Sequence, residues 1–373
     1  MRRTLLAVQN ARFAPAFLFL TLCSIASPIF AAELLRVSAT DSRIVYVGHW
    51  GRVERDGQTT MATINSSSQI YLNFTGTHVA GIFNLRDIEF LAQIWVRVDD
   101  GDWNLFTIDQ PRIEFFPKGL PEGSHRLEIA VKAIDGNGNR WLPPIRSIIV
   151  FSGFELNANA KVEARSPTGQ KPFLVFLGDS ITQGEGILNR GGTVINSDGL
   201  ATYAWLAGEA LGTTHVQIAF GGSGVIRNGS GNVPPAPLSF AWNFSGSPAD
   251  FSVTPDFVLI NLGTNDQYST DEFVPAYIKL LREIRRHYAS TVIFAMRPFN
   301  GQHFHGDDIA NIVKTMQDPG IIYIDSTGWM EAGDFTSRAG TVRRSLTTGR
   351  MLASWCKSRH RTGVTSPRHF LKY

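Results

Sequence analysis

The chain has 373 residues, of which 43% are hydrophobic and 18% charged, and its formal net charge is +3. At a rough prior of ~150 residues per domain, this is enough chain for two hydrophobic cores. The small net charge gives no indication of a nucleic-acid partner. The two cysteines, Cys23 and Cys356, fall in a predicted leader and a predicted tail, which excludes a disulfide framework from the folded part.

The amino terminus has the pattern of a secretory signal peptide. A basic start precedes the uncharged stretch Phe13–Ala32, which ends in small residues. A stretch of about this length can span a bilayer, but Pro15, Pro28 and the alanine exit favour cleavage over anchoring. We therefore predict a signal peptide over residues 1–32, a secreted extracellular protein, and no stable membrane anchor. Four Asn-x-Ser/Thr triplets fit a glycosylated secreted product, and they begin at Asn65, Asn73, Asn228 and Asn243.

Residues 33–160 carry short β-type runs and no convincing helical period. Turn-forming sequences at Asp99–Asp102 and Asp135–Asn139 separate neighbouring runs. This pattern predicts an antiparallel, jelly-roll-like β-sandwich, followed by a linker over residues 161–171. The predicted strands are Ile44–Val47, Gln69–Phe74, His78–Phe83, Gln93–Val98, Arg126–Val131 and Ser147–Val150.

Three buried-strand patterns in residues 172–337 each end in a polar, glycine-containing turn. Phe173–Leu177 leads to Ser180, Val216–Phe220 leads to Gly221-Gly222, and Phe257–Leu262 leads to Asn265. In an open α/β sheet, the carboxyl ends of such strands form the edge where ligands bind. Ser180 is then a candidate nucleophile, while the backbone N–H groups and the Asn265 amide are candidate donors to an oxyanion.

These three segments resemble three blocks of the SGNH/GDSL hydrolase superfamily. Gly178-Asp179-Ser180 matches the nucleophile block, Gly221-Gly222-Ser223-Gly224 the glycine block, and Gly263-Thr264-Asn265-Asp266 the asparagine block. The resemblance implies a three-layer, flavodoxin-like α/β domain with a parallel sheet. It also implies an oxyanion hole made by the N–H groups of Ser180 and Gly222 and the amide of Asn265, a histidine base, and neither a metal nor an organic cofactor.

A β-sandwich before such a domain is similar to the arrangement in carbohydrate esterase family 2. That resemblance implies removal of acetyl groups from plant cell-wall polysaccharides or oligosaccharides, by a protein that we expect to be a monomer. The alternatives are a non-catalytic carbohydrate-binding protein with the same fold, or a general esterase or lipase. Trp50, Trp103 and Trp205 are candidates for stacking on sugar rings, although core or interface packing explains each of them more simply.

The fourth block of the superfamily, Asp-x-x-His, is missing from the place where it is expected. After Asp334 the chain has no acidic residue, and residues 338–373 are rich in arginine and lack an apolar period. A frameshift or altered splice junction near Ser337 explains this tail best. A catalytically dead variant, a genuine basic arm and a substitute base are the alternatives.

Two histidines are candidates for a substitute base. His303 and His305 follow the predicted strand Val292–Met296, so their loop should lie at the same sheet edge as Ser180. Their His-x-His spacing also occurs in metal sites, but no matching Cys, Asp or Glu ligands accompany it. The sequence therefore leaves the catalytic histidine unassigned.

Overall fold

A computed structural model describes residues 33–164, 171–299 and 305–329. The amino-terminal half forms two antiparallel sheets that share one hydrophobic core. The first sheet contains β1 Leu35–Ser38, β3 Gly51–Arg55, β4 Gln58–Thr63, β6 Val79–Phe83, β9 Arg112–Glu114 and β11 Ile149–Leu156. The second contains β2 Val45–Val47, β5 Gln69–Thr75, β7 Gln93–Val98, β8 Asn104–Thr107, β10 Ser124–Ala133 and β12 Lys161–Glu163.

Alternating apolar residues on the long central strands build this core. In the second sheet, Leu72 on β5 pairs with Leu127 on β10, and Ile129 on β10 pairs with Val96 on β7. All four are at most 2% exposed, and they pack in the same cluster as Phe151 of the first sheet. The arrangement confirms the predicted β-sandwich.

The carboxyl-terminal half contains a five-stranded parallel sheet in the order β14-β13-β17-β18-β19. This is the 2-1-3-4-5 order of flavodoxin-like folds, as expected from the sequence. Its strands are β13 Phe173–Gly178, β14 Thr214–Ala219, β17 Phe257–Asn261, β18 Val292–Met296 and β19 Ile321–Ile324. Around it lie a hairpin, β15 Trp242–Phe244 and β16 Ser247–Pro248, and the helices α1 Ser180–Gln183, α2 Tyr203–Leu211, α3 Ala236–Ser239, α4 Thr270–His287 and α5 Gly306–Met316.

Helices cover both faces of the parallel sheet. Leu174 and Phe176 of β13 pack in one cluster with α2, whereas Val175 and Leu177 pack in another with α4 and α5. Residues on successive positions of one strand point to opposite faces, so a strand buried on both sides is apolar throughout. The predicted three-layer α/β fold is thus confirmed.

The structure differs from the sequence prediction mainly at short and polar strands. The predicted linker 161–171 begins too early, because Lys161–Glu163 form β12 and pair with β5 at the edge of the sandwich. This strand has three residues and one buried side chain, Val162. So short an alternation of apolar and polar residues cannot be recognised in the sequence. The other strands that the sequence did not predict are β1, β3, β4, β8, β9, β15 and β16.

Several predictions concern residues outside the described ranges. The signal peptide (1–32), the tail (338–373) and His303 all lie there. Of the predicted glycosylation triplets, Asn228 is exposed, whereas Asn65 and Asn243 are at most 2% exposed and so closed to modification in the folded chain. Among the described residues, no helix combines the length and apolarity that crossing a bilayer requires.

Hydrogen bonds tie the sandwich to the loop that follows α1. The Nζ of Lys132 in β10 donates to the backbone oxygens of Val194 at 2.6 Å and of Ser197 at 2.7 Å. Lys132 is only 2% exposed, and burial lowers its pKa. A buried ammonium needs hydrogen-bond acceptors in place of water. These carbonyls supply them, and the resulting bonds hold the loop against the sandwich.

Candidate active site

Ser180 is presented at the carboxyl end of the central strand β13. The strand ends at Gly178, where a Cβ would overlap the Thr182 side chain, so the turn requires glycine. Asp179 then caps the single helical turn α1, because its Oδ1 accepts the Ile181 N–H at 2.9 Å. Ser180 is the first residue of α1, and a backbone N–H at that position has no partner within the helix.

The glycine loop follows the neighbouring strand β14. Gly222 has φ +71°, a left-handed conformation that favours glycine. The Oε1 of Gln183, on α1, accepts the Gly221 N–H at 2.6 Å, which joins the loop to the turn that carries Ser180. Among the described residues, no acceptor pairs with the N–H of Ser180 or of Gly222.

Asn265 connects the two preceding segments. Its Nδ2 donates to Oδ2 of Asp179 at 3.3 Å and to the backbone oxygen of Ser223 at 3.0 Å. One of these acceptors precedes Ser180 and the other follows Gly222. The three segments singled out in the sequence therefore meet at one edge of the sheet, and Asn265 lies between the other two.

Asp266 fixes the loop beyond Gly222. Its fully buried carboxylate accepts the backbone N–H groups of Val225, Ile226 and Arg227, at 2.8, 2.9 and 3.1 Å. Three convergent donors replace the hydration that the carboxylate loses on burial. Asp266 therefore holds the shape of the loop from the same turn that supplies Asn265.

Asp179 gives the site an unusual ionisable group. It is fully buried, and this desolvation raises its pKa from 3.8 to about 7, although the bond from the Ile181 N–H favours the charged form. The carboxyl beside Ser180 therefore changes its charge near neutral pH. Because Asn265 donates to it, the protonation of Asp179 also affects the hydrogen bonding of the candidate oxyanion donor.

Arg140 reaches the site from the sandwich half of the chain. Its guanidinium donates to the backbone oxygen of Ser230 at 3.2 Å, to Oγ of Ser230 at 2.5 Å and to Oε1 of Gln183 at 3.4 Å. The side chain is 1% exposed, and burial lowers its pKa to about 10. Arg140 thus supports both Gln183, which holds the Gly221 N–H, and the far end of the glycine loop.

His305 is held by its own neighbours. Its Nδ1 lies 2.7 Å from Oδ2 of Asp308, its Nε2 lies 2.8 Å from the backbone oxygen of Asp266, and its ring stacks on Phe273 at 3.8 Å. A carbonyl oxygen can only accept, so Nε2 carries a hydrogen. With both ring nitrogens engaged, His305 has the environment of a structural residue, which disfavours it as the base for Ser180.

The tryptophans named as sugar-stacking candidates differ in burial. Trp50 and Trp205 are 8% and 7% exposed and belong to the interior. Trp103 contacts Trp205 edge-on at 6.5 Å, and the Arg97 guanidinium lies 4.3 Å from its ring centre. Among the described residues, no group of three or more His, Cys, Asp or Glu side chains is arranged to hold a metal ion.

The sequence missed two residues that shape the site, Arg140 and Asp266. Asp266 was visible beside Asn265, but nothing in the sequence shows which N–H groups it accepts. Arg140 lies on the other half of the chain, 43 positions from Gln183, in a stretch that contains no recognisable motif. Burial of an arginine is a property of the assembled fold, so local patterns give no sign of it.

Comparisons with known proteins agree with this geometry. Residues 176–343 match the GDSL-like lipase/acylhydrolase family. The curated cellulase/esterase CelE of Acetivibrio thermocellus is 30% identical to the chain over 247 residues, which are 61% of the chain and 28% of that relative. The chain thus spans little more than a quarter of the relative's length.

Two solved structures show that the fold extends over both halves. An acetyl xylan esterase, Est2A from Butyrivibrio proteoclasticus, superimposes with a TM-score of 0.68 at 16% identity, covering 89% of this chain and all of that one. A family two carbohydrate esterase from Clostridium thermocellum, in complex with cellohexaose, gives a TM-score of 0.64 at 23% identity, covering 86% and 100%. The chain has the two-part fold of family 2 carbohydrate esterases, as the sequence predicted.

Proposed function

We propose that the chain is a secreted carboxylic ester hydrolase of the SGNH type that removes acetyl groups from plant cell-wall polysaccharides or oligosaccharides. The observation that carries this proposal is the position of the Asn265 amide between Asp179 and Ser223. It brings together the nucleophile turn, the glycine loop and the asparagine turn. The names of the similar proteins, a cellulase/esterase and an acetyl xylan esterase, support the substrate class.

The reaction is an acyl transfer in two halves. The Oγ of Ser180 attacks the acetyl carbonyl as a base removes its proton, and the carbonyl becomes a tetrahedral oxyanion. The N–H groups of Ser180 and Gly222 have no other acceptor among the described residues and stabilise the oxyanion. The sugar hydroxyl then leaves with the proton, and water releases acetate from the acetyl-serine by the same steps.

To bind the oxyanion, the Asn265 amide has to give up one of its two present hydrogen-bond acceptors. Both hydrogens on Nδ2 have acceptors in the free protein, and the contact with Asp179, at 3.3 Å, is the longer one. A developing oxyanion is a stronger acceptor than a protonated carboxyl, so uptake of a proton by Asp179 helps to release this hydrogen. Asp179 acts here as a positioning residue.

The chain as written lacks the family's Asp-x-x-His block, and the engagement of both His305 nitrogens favours a second candidate function. This is a non-catalytic carbohydrate-binding protein that retains the cleft. A Ser-His enzyme without its base keeps only a residual ~10³–10⁴-fold acceleration over water. Turnover by the written chain should then be close to background.

A comparison of four purified proteins tests both candidates. We expect p-nitrophenyl acetate and acetylated xylan to be hydrolysed by a version with an Asp-x-x-His segment restored after Ser337, and not by its Ser180→Ala variant. The written chain and its Ser180→Ala variant should be equally inactive. Activity in the restored chain that survives Ser180→Ala would refute the esterase mechanism, and an inactive restored chain that binds xylan would favour the binding protein.

A further inference from the structure

Tyr203 packs beneath the site, on the α2 face of the parallel sheet. It is the first residue of α2 and is 2% exposed. Its ring lies edge-on to Phe176 of β13 and to Phe299 after β18, with 6.0 and 5.0 Å between the ring centres. The phenol oxygen lies on the long axis of the ring, so the packing of the ring also fixes the position of the hydroxyl group.

The hydroxyl group of Tyr203 bonds to two buried side chains. It accepts a hydrogen bond from Nδ2 of Asn261 at 3.2 Å, and it shares a second hydrogen bond with Oγ1 of Thr182 at 3.0 Å. Asn261 and Thr182 are both fully buried. Burial raises the pKa of Tyr203 above its usual value, so the hydroxyl keeps its hydrogen at physiological pH.

These two partners belong to the segments that carry Ser180 and Asn265. Thr182 lies in α1, the helical turn that begins at Ser180, and Asn261 is the last residue of β17, just before the turn that contains Asn265. The tyrosine hydroxyl therefore joins the nucleophile turn to the asparagine segment.

The bridge stands where the pairing of the two strands ends. In the ladder between β13 and β17, the last pair is Gly178 with Asn261, so the turns that follow have no strand partner to hold them in register. The helix α1 has only four residues, and so short a helix is not stable on its own. The spacing of the two turns therefore depends on side-chain contacts such as the one through Tyr203.

The partners of Tyr203 have little else to hold them. Among the described residues, the bond to Tyr203 is the one hydrogen bond of the Asn261 side chain, whose Oδ1 has no partner. Loss of the tyrosine hydroxyl would leave the Asn261 amide and the Thr182 hydroxyl buried without this bond. Because buried polar groups seldom stay unpaired, we expect both side chains to move and to shift the turns that they belong to.

We propose that Tyr203 is a positioning residue for the oxyanion donor Asn265, and that its hydroxyl sets the spacing between the Ser180 turn and the Asn265 turn. Tyr203 touches no reacting atom. The catalytic part of this inference rests on the proposed function, whereas the structural part holds for a chain that only binds carbohydrate. A misplacement of about 1 Å can cost about 10²-fold in rate, so a donor that is present but misaligned loses much of its effect.

Kinetics in the chain with a restored Asp-x-x-His segment test the catalytic part. Tyr203→Phe keeps the ring and removes the hydroxyl. It should lower kcat for p-nitrophenyl acetate about tenfold with KM near that of the parent, a smaller loss than the ~10²–10³ of a deleted oxyanion donor. The matched control is Tyr277→Phe in α4, since Tyr277 is fully buried and its hydroxyl has no partner among the described residues. This variant should keep the kcat of the parent.

A double-mutant cycle separates positioning from a general loss of structure. If Tyr203 acts through Asn265, Tyr203→Phe should change kcat by less than about twofold in the Asn265→Ala background. Thr182→Val removes the other hydroxyl of the bridge and should reproduce the effect of Tyr203→Phe. Equal losses from Tyr203→Phe in the parent and in the Asn265→Ala background would contradict the proposal.

Nuclear magnetic resonance of the written chain tests the structural part without turnover. The side-chain amide signals of Asn265 are assigned by their loss in Asn265→Ala. They should shift in Tyr203→Phe and stay in place in Tyr277→Phe. A shift in Tyr203→Phe no larger than in Tyr277→Phe would overturn the proposal. If the restored chain hydrolyses no ester, the proposed function fails, and these signals still decide whether Tyr203 positions Asn265.

Discussion

Along the edge formed by the carboxyl ends of the parallel strands, the two ends differ in whether their polar groups are paired. Beside β13, β14 and β17, the N–H groups of Ser180 and Gly222 have no acceptor among the described residues. Beside β18 and β19, Arg297 pairs with Asp307 at 2.6 Å and with Asp325 at 3.0 Å. The first end, which we call the open end, keeps N–H donors that our proposal assigns to the oxyanion. The second, which we call the self-satisfied end, pairs its charged groups with one another.

His305 belongs to the second end, although the sequence placed it among the candidates for catalysis. Its ring is fixed by Asp308 and by the backbone oxygen of Asp266. The Asp266 side chain in turn holds the loop that follows Gly222. The self-satisfied end therefore supports the open end, and Asp266 is the residue that links them.

The largest expected effect comes from removing a donor at the open end. In the chain with a restored Asp-x-x-His segment, Asn265→Ala should lower kcat for p-nitrophenyl acetate by about 10²–10³, the usual cost of one oxyanion donor. His305→Gln, at the self-satisfied end, and Asn228→Ala, on the exposed part of the glycine loop, are the controls and should stay close to the parent. Initial-rate kinetics measure all three, and equal losses in Asn265→Ala and His305→Gln would contradict the distinction between the two ends.

The hydrogen bonds from Arg140 of the sandwich half should contribute to the free energy of unfolding. Arg140→Met removes hydrogen bonds to Ser230 and Gln183 in a buried place, and should lower the free energy of unfolding by about 1.5–3 kcal/mol, as for hydrogen bonds to a charged group. Arg126→Met, which removes a partly exposed pairing with Asp100, should cost less than about 1 kcal/mol. Urea denaturation measures both losses. If Arg140→Met loses no more unfolding free energy than Arg126→Met, Arg140 does not support the site as described.

A further effect is a pH dependence of stability that arises from Asp179. Its pKa is about 7 in the folded chain and 3.8 as a free side chain, so between these values the folded state binds the extra proton. Stability attributable to Asp179 therefore falls as the pH rises from about 4 to about 7, by at most about 1.4 kcal/mol per pH unit.

Asp179→Asn removes this titration and keeps a side chain able to cap α1. Urea denaturation compares its free energy of unfolding with that of the parent. The variant's value should rise relative to the parent's from pH 4 to pH 7, and the difference should stay constant above pH 7. A difference that stays constant across this range would show that the carboxyl is not desolvated as described.

Much of the fold was predictable because its main strands are buried either on one alternating face, as in Gln93–Val98, or on both faces, as in Val292–Met296. Gln93–Val98 and Val292–Met296 were predicted with the bounds that the structure has, and the three turns after β13, β14 and β17 were placed at the correct edge. Strands at the sheet edges were missed, since β3, with the sequence Gly-Arg-Val-Glu-Arg, has too few buried side chains to produce a pattern.

The contacts that complete the site were not predictable for a different reason. Arg140 and Gln183 meet only when the sandwich packs on the α/β half, and no periodicity within either segment reports that contact. His305 was placed correctly in a loop after β18, but its stacking on Phe273 and its bonds to Asp308 and Asp266 depend on α4 and on the neighbouring turn. Sequence patterns indicate which edge a side chain reaches, while the packed structure decides whether it is free to react.

Trapping the acyl-enzyme tests the central claim, that Ser180 at the open end is the nucleophile, most directly. The chain with a restored Asp-x-x-His segment is mixed with p-nitrophenyl acetate, quenched in acid within its first turnovers, and digested for peptide mass spectrometry. We predict an acetyl group on Ser180, absent from the Ser180→Ala variant and accumulating more slowly in Asn265→Ala. A chain that hydrolyses the ester while its acetyl group is found on another residue would contradict the account.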